Sequence, residues 1–284
     1  MEDNNQSPNE LRIDVRKVFR KKNPTMGRMV PGFIYRYIER IIHQDFVNDF
    51  LRRHGHKKGV DFIHASIREF NVELIIRGEE NIPDTGRFIF ASNHPLGGFD
   101  GIILIEIVSR KYAQIKFLVN DILMAMGPLS DHFVAINKHG GQSREVIQEL
   151  DKIYQSDTQV LTFPSGLVSR KIKGVVQDLP WQKSFIAKAV QYKRDIIPVH
   201  FSGRNTNFFY NLANFRKFLR IKWNLEMFYL VDETYKHRNK TIHVTFGKPI
   251  PYSTFNKSKT NIQWADEIRS LVYALPAGNG ASPS

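Results

Sequence analysis

The spacing of hydrophobic positions changes along this chain and divides it into two parts. Between Pro31 and Gly55, apolar side chains recur at helical spacing and basic ones occupy other positions, which predicts one basic amphipathic helix. The apolar positions are Ile34, Tyr37, Ile38, Ile41, Ile42 and Phe50, and the basic ones are Arg36, Arg40, Arg52 and Arg53. Residues 1–30 are polar and interrupted by proline and glycine, so we expect a loose lead-in with room for one short helix.

Beyond residue 70, short β-rich runs alternate with helical ones. The helical pattern is clearest from Ser143 to Tyr154, where the apolar side chains form one stripe and Ser143 can cap the helix. The candidate strands are Val72–Ile76, Phe88–Ala91, Ile115–Val119, Phe133–Ile136, Gln159–Phe163, Ile196–Phe201, Glu226–Val231 and Thr241–Phe246. This alternation predicts an α/β fold in which a β-sheet is covered by helices.

The patterns predict an N-terminal helical region over residues 1–70, an α/β domain over 71–275 and a disordered tail over 276–284. Within the domain, residues 207–230 mix aromatic side chains with Arg and Lys, and we expect an insertion there. Such a mixture suits a membrane interface, but core aromatics beside a solvated basic face fit it equally well. The basic helix after Pro31 is open to the same two interpretations.

Charge adds a constraint on partners. Among 284 residues, 41 Lys and Arg stand against 28 Asp and Glu, a net charge of +13, which indicates an anionic partner such as phospholipid, nucleic acid or an acidic carrier protein. Cysteine is absent, which excludes disulfides and thiol nucleophiles. No run approaches the ~18 apolar residues that span a bilayer, so we expect any membrane contact to be peripheral.

The most informative stretch is an apolar strand that ends in a polar turn holding His94 and Asp100. A helix is predicted directly after it, and ligands of α/β sheets usually bind at such carboxyl ends of strands. Gly97 and Gly98 allow the turn to fold back and bring the Asp100 carboxylate to the imidazole. That contact would fix the tautomer of His94 and stabilise its protonated form, as general-base catalysis requires. A surface turn in which Asp100 merely caps the next helix is the competing interpretation.

Other polar residues carry weaker signals. His132, His139 and His200 have no His-Glu-x-x-His motif or carboxylate cluster beside them, so no metal is predicted. Ser165 lies between proline and glycine without a Gly-x-Ser-x-Gly motif, which favours a turn serine over a nucleophile.

Four blocks, in order over roughly residues 70–250, resemble the glycerolipid acyltransferase family, the PlsC-type enzymes that acylate lysophosphatidic acid and related lysolipids. They are Asn93-His94 with Asp100; Lys116–Asp121 with Gly127-Pro128 and Phe133–Lys138; Phe163-Pro-Ser-Gly166; and Ile197-Pro-Val199. Together they form a fairly specific match.

The resemblance implies a mixed β-sheet covered by helices and an O-acyltransferase. In this family a fatty acyl group moves from an acyl carrier protein or coenzyme A thioester to a lysolipid hydroxyl, with no other cofactor. His94 and Asp100 would be catalytic. The substrate-binding positions would be Asn93, Gly97, Gly98, Lys138, Ser165, Gly166, Arg170 and Lys171. We expect such an enzyme on the cytoplasmic face of the cell membrane, held at anionic lipid.

Departures from the family pattern bear on the acceptor. Five residues separate His94 from Asp100 where the family usually has four. Ser165 stands where the family has Glu, Lys138 stands where Arg is customary, and Arg170 comes later than the family's Arg. We therefore expect a lyso-amino-acid lipid of the ornithine or glycine type as acceptor, with lysophosphatidic acid as the alternative.

Two other classes of function fit parts of the sequence. A nucleic-acid-binding protein would use the net positive charge and the aromatic and basic side chains of residues 207–230, but it leaves the four blocks unexplained. A catalytically idle lipid-binding relative would explain the altered His-to-Asp spacing. Retention of Asn93, His94 and Asp100 favours the enzyme.

Overall fold

The computed structural model describes residues 12–22, 29–119, 127–136, 143–221 and 224–276. Within these residues one seven-stranded sheet has the order β1-β9-β8-β2-β5-β3-β4, and a two-stranded hairpin, β6-β7, lies outside it. The strands are β1 Glu73–Arg77, β2 Phe88–Ser92, β3 Ile115–Val119, β4 Phe133–Ala135, β5 Gln159–Thr162, β6 Arg170–Ile172, β7 Val175–Gln177, β8 Asp195–Phe201 and β9 Thr241–Phe246.

The sheet is mixed but mainly parallel, as predicted. Strands β8, β2, β5, β3 and β4 are parallel to one another, while β9 runs antiparallel to β8 and pairs in parallel with β1. All five residues of β2 are buried, which explains its unbroken apolar sequence. Because β2 is the central strand of the seven, its carboxyl end lies at the middle of the sheet. The predicted catalytic turn begins there.

Helices cover both faces of the sheet. They are α1 Val15–Lys22, α2 Gly32–Ile41, α3 Gln44–His54, α4 Gly59–Phe70, α5 Gly98–Ser109, α6 Arg144–Gln155, α7 Ser184–Tyr192, α8 Asn207–Phe218, α9 Leu230–Tyr235 and α10 Asn261–Ala274. Phe88 and Phe90 of β2 share a core with the α4 and α5 side, whereas Ile89 and Ala91 share one with α7 and α10. This alternation is the period of two that a strand imposes on its side chains.

The prediction of a single helix from Pro31 to Gly55 is wrong. The chain forms α2 and α3, and His43 between them has a left-handed conformation with a φ of 49°. The His43 ring stacks on Tyr235 with a centroid distance of 3.7 Å, and its Nε2 lies 2.8 Å from Asp232 Oδ1. Contacts with α9 thus hold a backbone conformation that ends one helix and starts the next.

The predicted strand Glu226–Val231 is also wrong. A 3-10 helix, Leu225–Tyr229, leads directly into α9. The Glu226 carboxylate is fully buried against Arg170 and Arg216, whereas Phe228 is exposed. These ion pairs override the strand-like sequence, because a buried carboxylate must be paired with cations or hydrogen-bond donors.

Arg194 lies at the opposite end of the strands, where β2 begins. There its side chain supplies hydrogen-bond donors to carbonyl groups at the end of a helix. Its guanidinium donates to five carbonyl oxygens at 2.5 to 3.4 Å, those of Phe88, Ile153, Tyr154, Ser156 and Thr158. Ile153, Tyr154 and Ser156 lie at the carboxyl end of α6, where carbonyls lack intrahelical donors. Burial lowers the pKa of Arg194 to about 10, so the side chain remains charged at neutral pH. It therefore joins the end of α6 to Phe88 of β2 and to Thr158, which directly precedes β5.

Replacing Arg194 with methionine should lower the free energy of unfolding by about 3 kcal/mol or more, because each buried carbonyl left without a donor costs about 1–3 kcal/mol. Chemical denaturation of wild type and Arg194→Met measures the difference. Arg144→Met, which alters an exposed arginine at the start of the same helix, is the matched control and should change stability little. Equal stability of the two variants would contradict the assigned role of Arg194.

Candidate active site

The turn after β2 brings His94 and Asp100 into contact. His94 Nδ1 lies 2.9 Å from Asp100 Oδ2, and the backbone N–H of Leu96 donates to the same oxygen at 2.9 Å. Gly97 has a φ of 82°, a conformation that an L side chain rarely adopts, and it precedes the first residue of α5. The turn thus closes on the Asp100 side chain as the glycine pair predicts, and the five-residue spacing is accommodated.

Burial controls the electrostatics of this pair. Asp100 is fully buried, and its pKa is raised well above the usual value, first by burial and then by the negative charge of Asp178. The backbone N–H groups of Leu96 and Gly97 act in the opposite direction. A carboxylate at this buried position therefore has to be stabilised by hydrogen-bond donors. Besides the backbone N–H groups, a protonated His94 Nδ1 can donate a hydrogen bond to it.

An aromatic ring sets the plane of the imidazole. The Phe163 ring stacks on His94 with a centroid distance of 3.9 Å and an interplanar angle of 15°, and Phe117 supports Phe163 from behind at 4.9 Å. Phe163 follows β5, the strand that pairs with β2. Adjacent parallel strands thus bring the first and third sequence blocks together, as expected for residues at the carboxyl ends of neighbouring strands.

A second acidic residue, not predicted from the sequence, lies behind His94. Asp178 is buried, and its carboxylate accepts hydrogen bonds from the His94 backbone N–H, the Ser169 hydroxyl and the Trp181 indole N–H. It follows the hairpin at the end of β7. No short-range pattern could have indicated it, because 84 positions separate it from His94.

Other predicted site residues have structural contacts. Asn93 is buried and bridges β2 to β8 by exchanging hydrogen bonds with the backbone of Phe201, at 2.9 and 2.7 Å. Ser165 donates its hydroxyl proton to the Leu167 carbonyl at 2.8 Å, which is the contact of a turn serine. Gly166 has a φ of 62° and closes the same turn. Gly98, in contrast, has open space beside it, because an added Cβ at this position would meet no atom within 4 Å.

The expectation that Arg170 faces the acceptor needs correction. The residue is only 2% exposed, and its guanidinium donates to the Val168 and Ser169 carbonyls and to Glu226 Oε1 at 3.3 Å. It packs over the Phe209 ring at 5.4 Å. Arg170 therefore belongs to a buried ion-pair cluster.

Two other basic positions were predicted at the acceptor side. Lys171, on the hairpin beside Arg170, is partly exposed, and its binding role stays a prediction. Lys138 lies outside the described residues.

The described ranges contain no group of three or more His, Cys, Asp or Glu side chains that could hold a metal ion. His200 is buried beside the Tyr273 ring, and burial lowers its pKa to about 4, so it is neutral at physiological pH. Among the helices that the structure describes, none is long and apolar enough to cross a membrane.

Comparison with known proteins gives consistent results. The acyltransferase family model matches residues 17–278. The lyso-glycine lipid O-acyltransferase of Bacteroides thetaiotaomicron is 48% identical over 264 residues, which cover 93% of this chain and 97% of that protein. The protein of the same name from Phocaeicola vulgatus is 43% identical over 93% of this chain and 95% of its own length.

Among solved structures, the 1-acyl-sn-glycerophosphate acyltransferase PlsC from Thermotoga maritima matches with a TM-score of 0.47 and 16% identity, over 75% of this chain and 76% of that one. The family model spans most of the sequence, and both bacterial relatives are more than 40% identical over nearly their full lengths. On these matches, this chain belongs to the acyltransferase family.

Proposed function

We propose that this enzyme transfers a fatty acyl group from an acyl thioester to the hydroxyl of a lyso-amino-acid lipid of the lyso-glycine type. The contact between His94 Nδ1 and the buried Asp100 carboxylate is the observation that carries the proposal. It is the arrangement that a general base requires to deprotonate an alcohol. The names of the two bacterial relatives support the acceptor class.

The reaction follows from the orientation of the ring. With Nδ1 on Asp100, Nε2 takes the proton of the acceptor hydroxyl as its oxygen attacks the thioester carbonyl. The tetrahedral intermediate then collapses, the carbon–sulfur bond breaks, and His94 returns the proton to the departing thiolate. Asp100 holds the tautomer and stabilises the transient imidazolium. The N–H of Gly98, at the start of α5, is a candidate donor to the developing oxyanion.

Replacing His94 with glutamine should lower kcat by about 10² to 10⁴, because glutamine can keep a hydrogen bond to Asp100 but cannot act as a base. Asp100→Asn should retain more activity. His56→Gln, at an exposed histidine, is the matched control and should behave as wild type. Acyl transfer to a lysolipid is assayed with variants shown to be folded by circular dichroism. Wild-type turnover by His94→Gln would refute the mechanism.

The donor can be acyl carrier protein or acyl-coenzyme A. Both present a thioester that the same chemistry attacks, and the net charge of +13 favours approach of either acidic donor.

The contacts of the third block support an acceptor with fewer phosphate oxygens than glycerol phosphate. Ser165 provides no charge and uses its hydroxyl within the turn, and Arg170 is turned into the protein. Neither side chain offers the charged contact that the family pattern would place near a phosphate. Lysophosphatidic acid remains the alternative acceptor.

We predict a higher kcat/KM for lyso-glycine lipid than for lysophosphatidic acid with the same acyl donor, because headgroup contacts in the transition state set this ratio. Initial rates with the two acceptors, matched in acyl chain and presented in the same detergent micelles, measure it. A preference for lysophosphatidic acid would refute the headgroup argument and leave the His94 mechanism intact.

We place this enzyme peripherally at the cytoplasmic face of an anionic membrane, and exposed aromatic side chains support the contact with lipid. Phe33 on α2, Phe218 on α8 and Phe228 in the following 3-10 helix are 64%, 81% and 58% exposed. Helix α2 and the 3-10 helix adjoin, since the Tyr37 and Tyr229 hydroxyls contact each other. Other residues of the predicted insertion, Phe209 and Tyr210 among them, are buried, so the segment serves both as core and as surface.

Replacing both Phe218 and Phe228 with glutamate should weaken binding to anionic vesicles at least tenfold, because burying an aromatic side chain contributes roughly 1.5–3 kcal/mol. Liposome flotation at low and high salt measures binding, which should also fall as salt screens the basic residues. Ile147→Glu, at an exposed position of α6, is the control. Equal loss in the control, or salt-independent binding to neutral and anionic vesicles, would contradict this attachment.

A further inference from the structure

The buried Asp178 carboxylate is joined to the main chain of His94. Its Oδ1 accepts the His94 backbone N–H at 3.2 Å and the Ser169 hydroxyl at 2.5 Å, and its Oδ2 accepts the Trp181 indole N–H at 2.9 Å. All three partners are donors, which matches an ionised carboxylate. The site therefore contains a second buried carboxyl group besides that of Asp100.

Both peptide groups of His94 are held by the same segment. On one side the His94 N–H donates to Asp178, and on the other the His94 carbonyl accepts the Ser169 backbone N–H at 2.8 Å. Ser169 in turn donates its hydroxyl to Asp178. The hairpin segment thus clamps the residue from which the imidazole projects, independently of the Asp100 contact to the ring.

We propose that Asp178 is a positioning residue for acyl transfer: it fixes the main chain of His94, and its charge stabilises the imidazolium that forms when His94 takes the acceptor proton. This inference rests on the general-base role proposed for His94. A displacement of about 1 Å in a catalytic group can cost 10²-fold in rate, so a clamp on the main chain is of direct kinetic value.

The charged surroundings allow the contribution of Asp178 to be isolated. Arg269 of α10 donates to the Asp178 carbonyl at 2.8 Å. Tyr273 of α10 accepts the Asp178 N–H, and burial raises the pKa of its phenol, which stays neutral. Tyr210 of α8 is likewise neutral, because burial raises its pKa to about 12. Neither phenol therefore adds a charge beside the His94–Asp100 pair.

Asp178→Asn removes the charge and keeps the shape. We expect kcat to fall about tenfold or more, and the acid limb of the pH–rate profile to move to lower pH by roughly 1 pH unit, because a nearby negative charge favours the protonated ring. Ser169→Ala removes one hydrogen bond but keeps the charge, so it should leave the acid limb where it is in wild type. Comparing the two variants separates the effect of the Asp178 charge from that of its hydrogen bond with Ser169.

The titration of His94 should also be followed by NMR in the enzyme without substrate, with the His94 signal assigned from the His94→Gln variant. The midpoint should fall in Asp178→Asn and not in Ser169→Ala. Should Asp178→Asn fail to fold, the double variant with Trp181→Phe removes the indole donor that an asparagine amide would oppose.

An unchanged midpoint and an unchanged acid limb in a folded Asp178 variant would overturn the inference, even if its rate were low. The NMR titration also keeps the two proposals apart. If wild type acylates no lysolipid, the proposed function fails while the midpoint still reports on the charge of Asp178.

Discussion

The contact between His94 and a fully buried Asp100 is the constraint around which this part of the structure is organised. An isolated buried carboxylate costs several kcal/mol, so donors must surround it. To place His94 Nδ1 and the Leu96 N–H on one oxygen, the chain has to fold back within a few residues. Gly97 supplies the left-handed backbone, and α5 begins immediately afterwards. The loop, the helix start and the ring orientation all follow from this requirement.

Buried charges also connect segments that are distant in sequence. Glu226 lies between Arg170 of the hairpin and Arg216 of α8, and Asp178 joins the end of the same hairpin to the turn after β2. Each charge is matched by cations or by hydrogen-bond donors, as burial demands. The hairpin that follows the third sequence block is therefore held by buried ion pairs and hydrogen bonds, and its Arg170 side chain points into the protein.

Local patterns predicted most of the sheet. The limits of Ile115–Val119 and Thr241–Phe246 agree at both ends with the structure, because runs rich in apolar and β-branched residues are bounded by polar ones. The same reasoning failed at Glu226–Val231, where ion pairs of Glu226 draw the backbone into a helical conformation. It also missed the break at His43, which depends on contacts with Asp232 and Tyr235.

The sequence by itself determined the α/β class, the strand that leads into the His94 turn and the Asp100 partner, because each depends on residues within a few positions of one another. Only the tertiary structure decided that Phe163 stacks on the ring, that Asp178 clamps its main chain and that Arg170 turns inward. These contacts join segments separated by dozens of residues. Their geometry depends on strand order and on the pairing of buried charges, which periodicity and spacing along the chain do not encode.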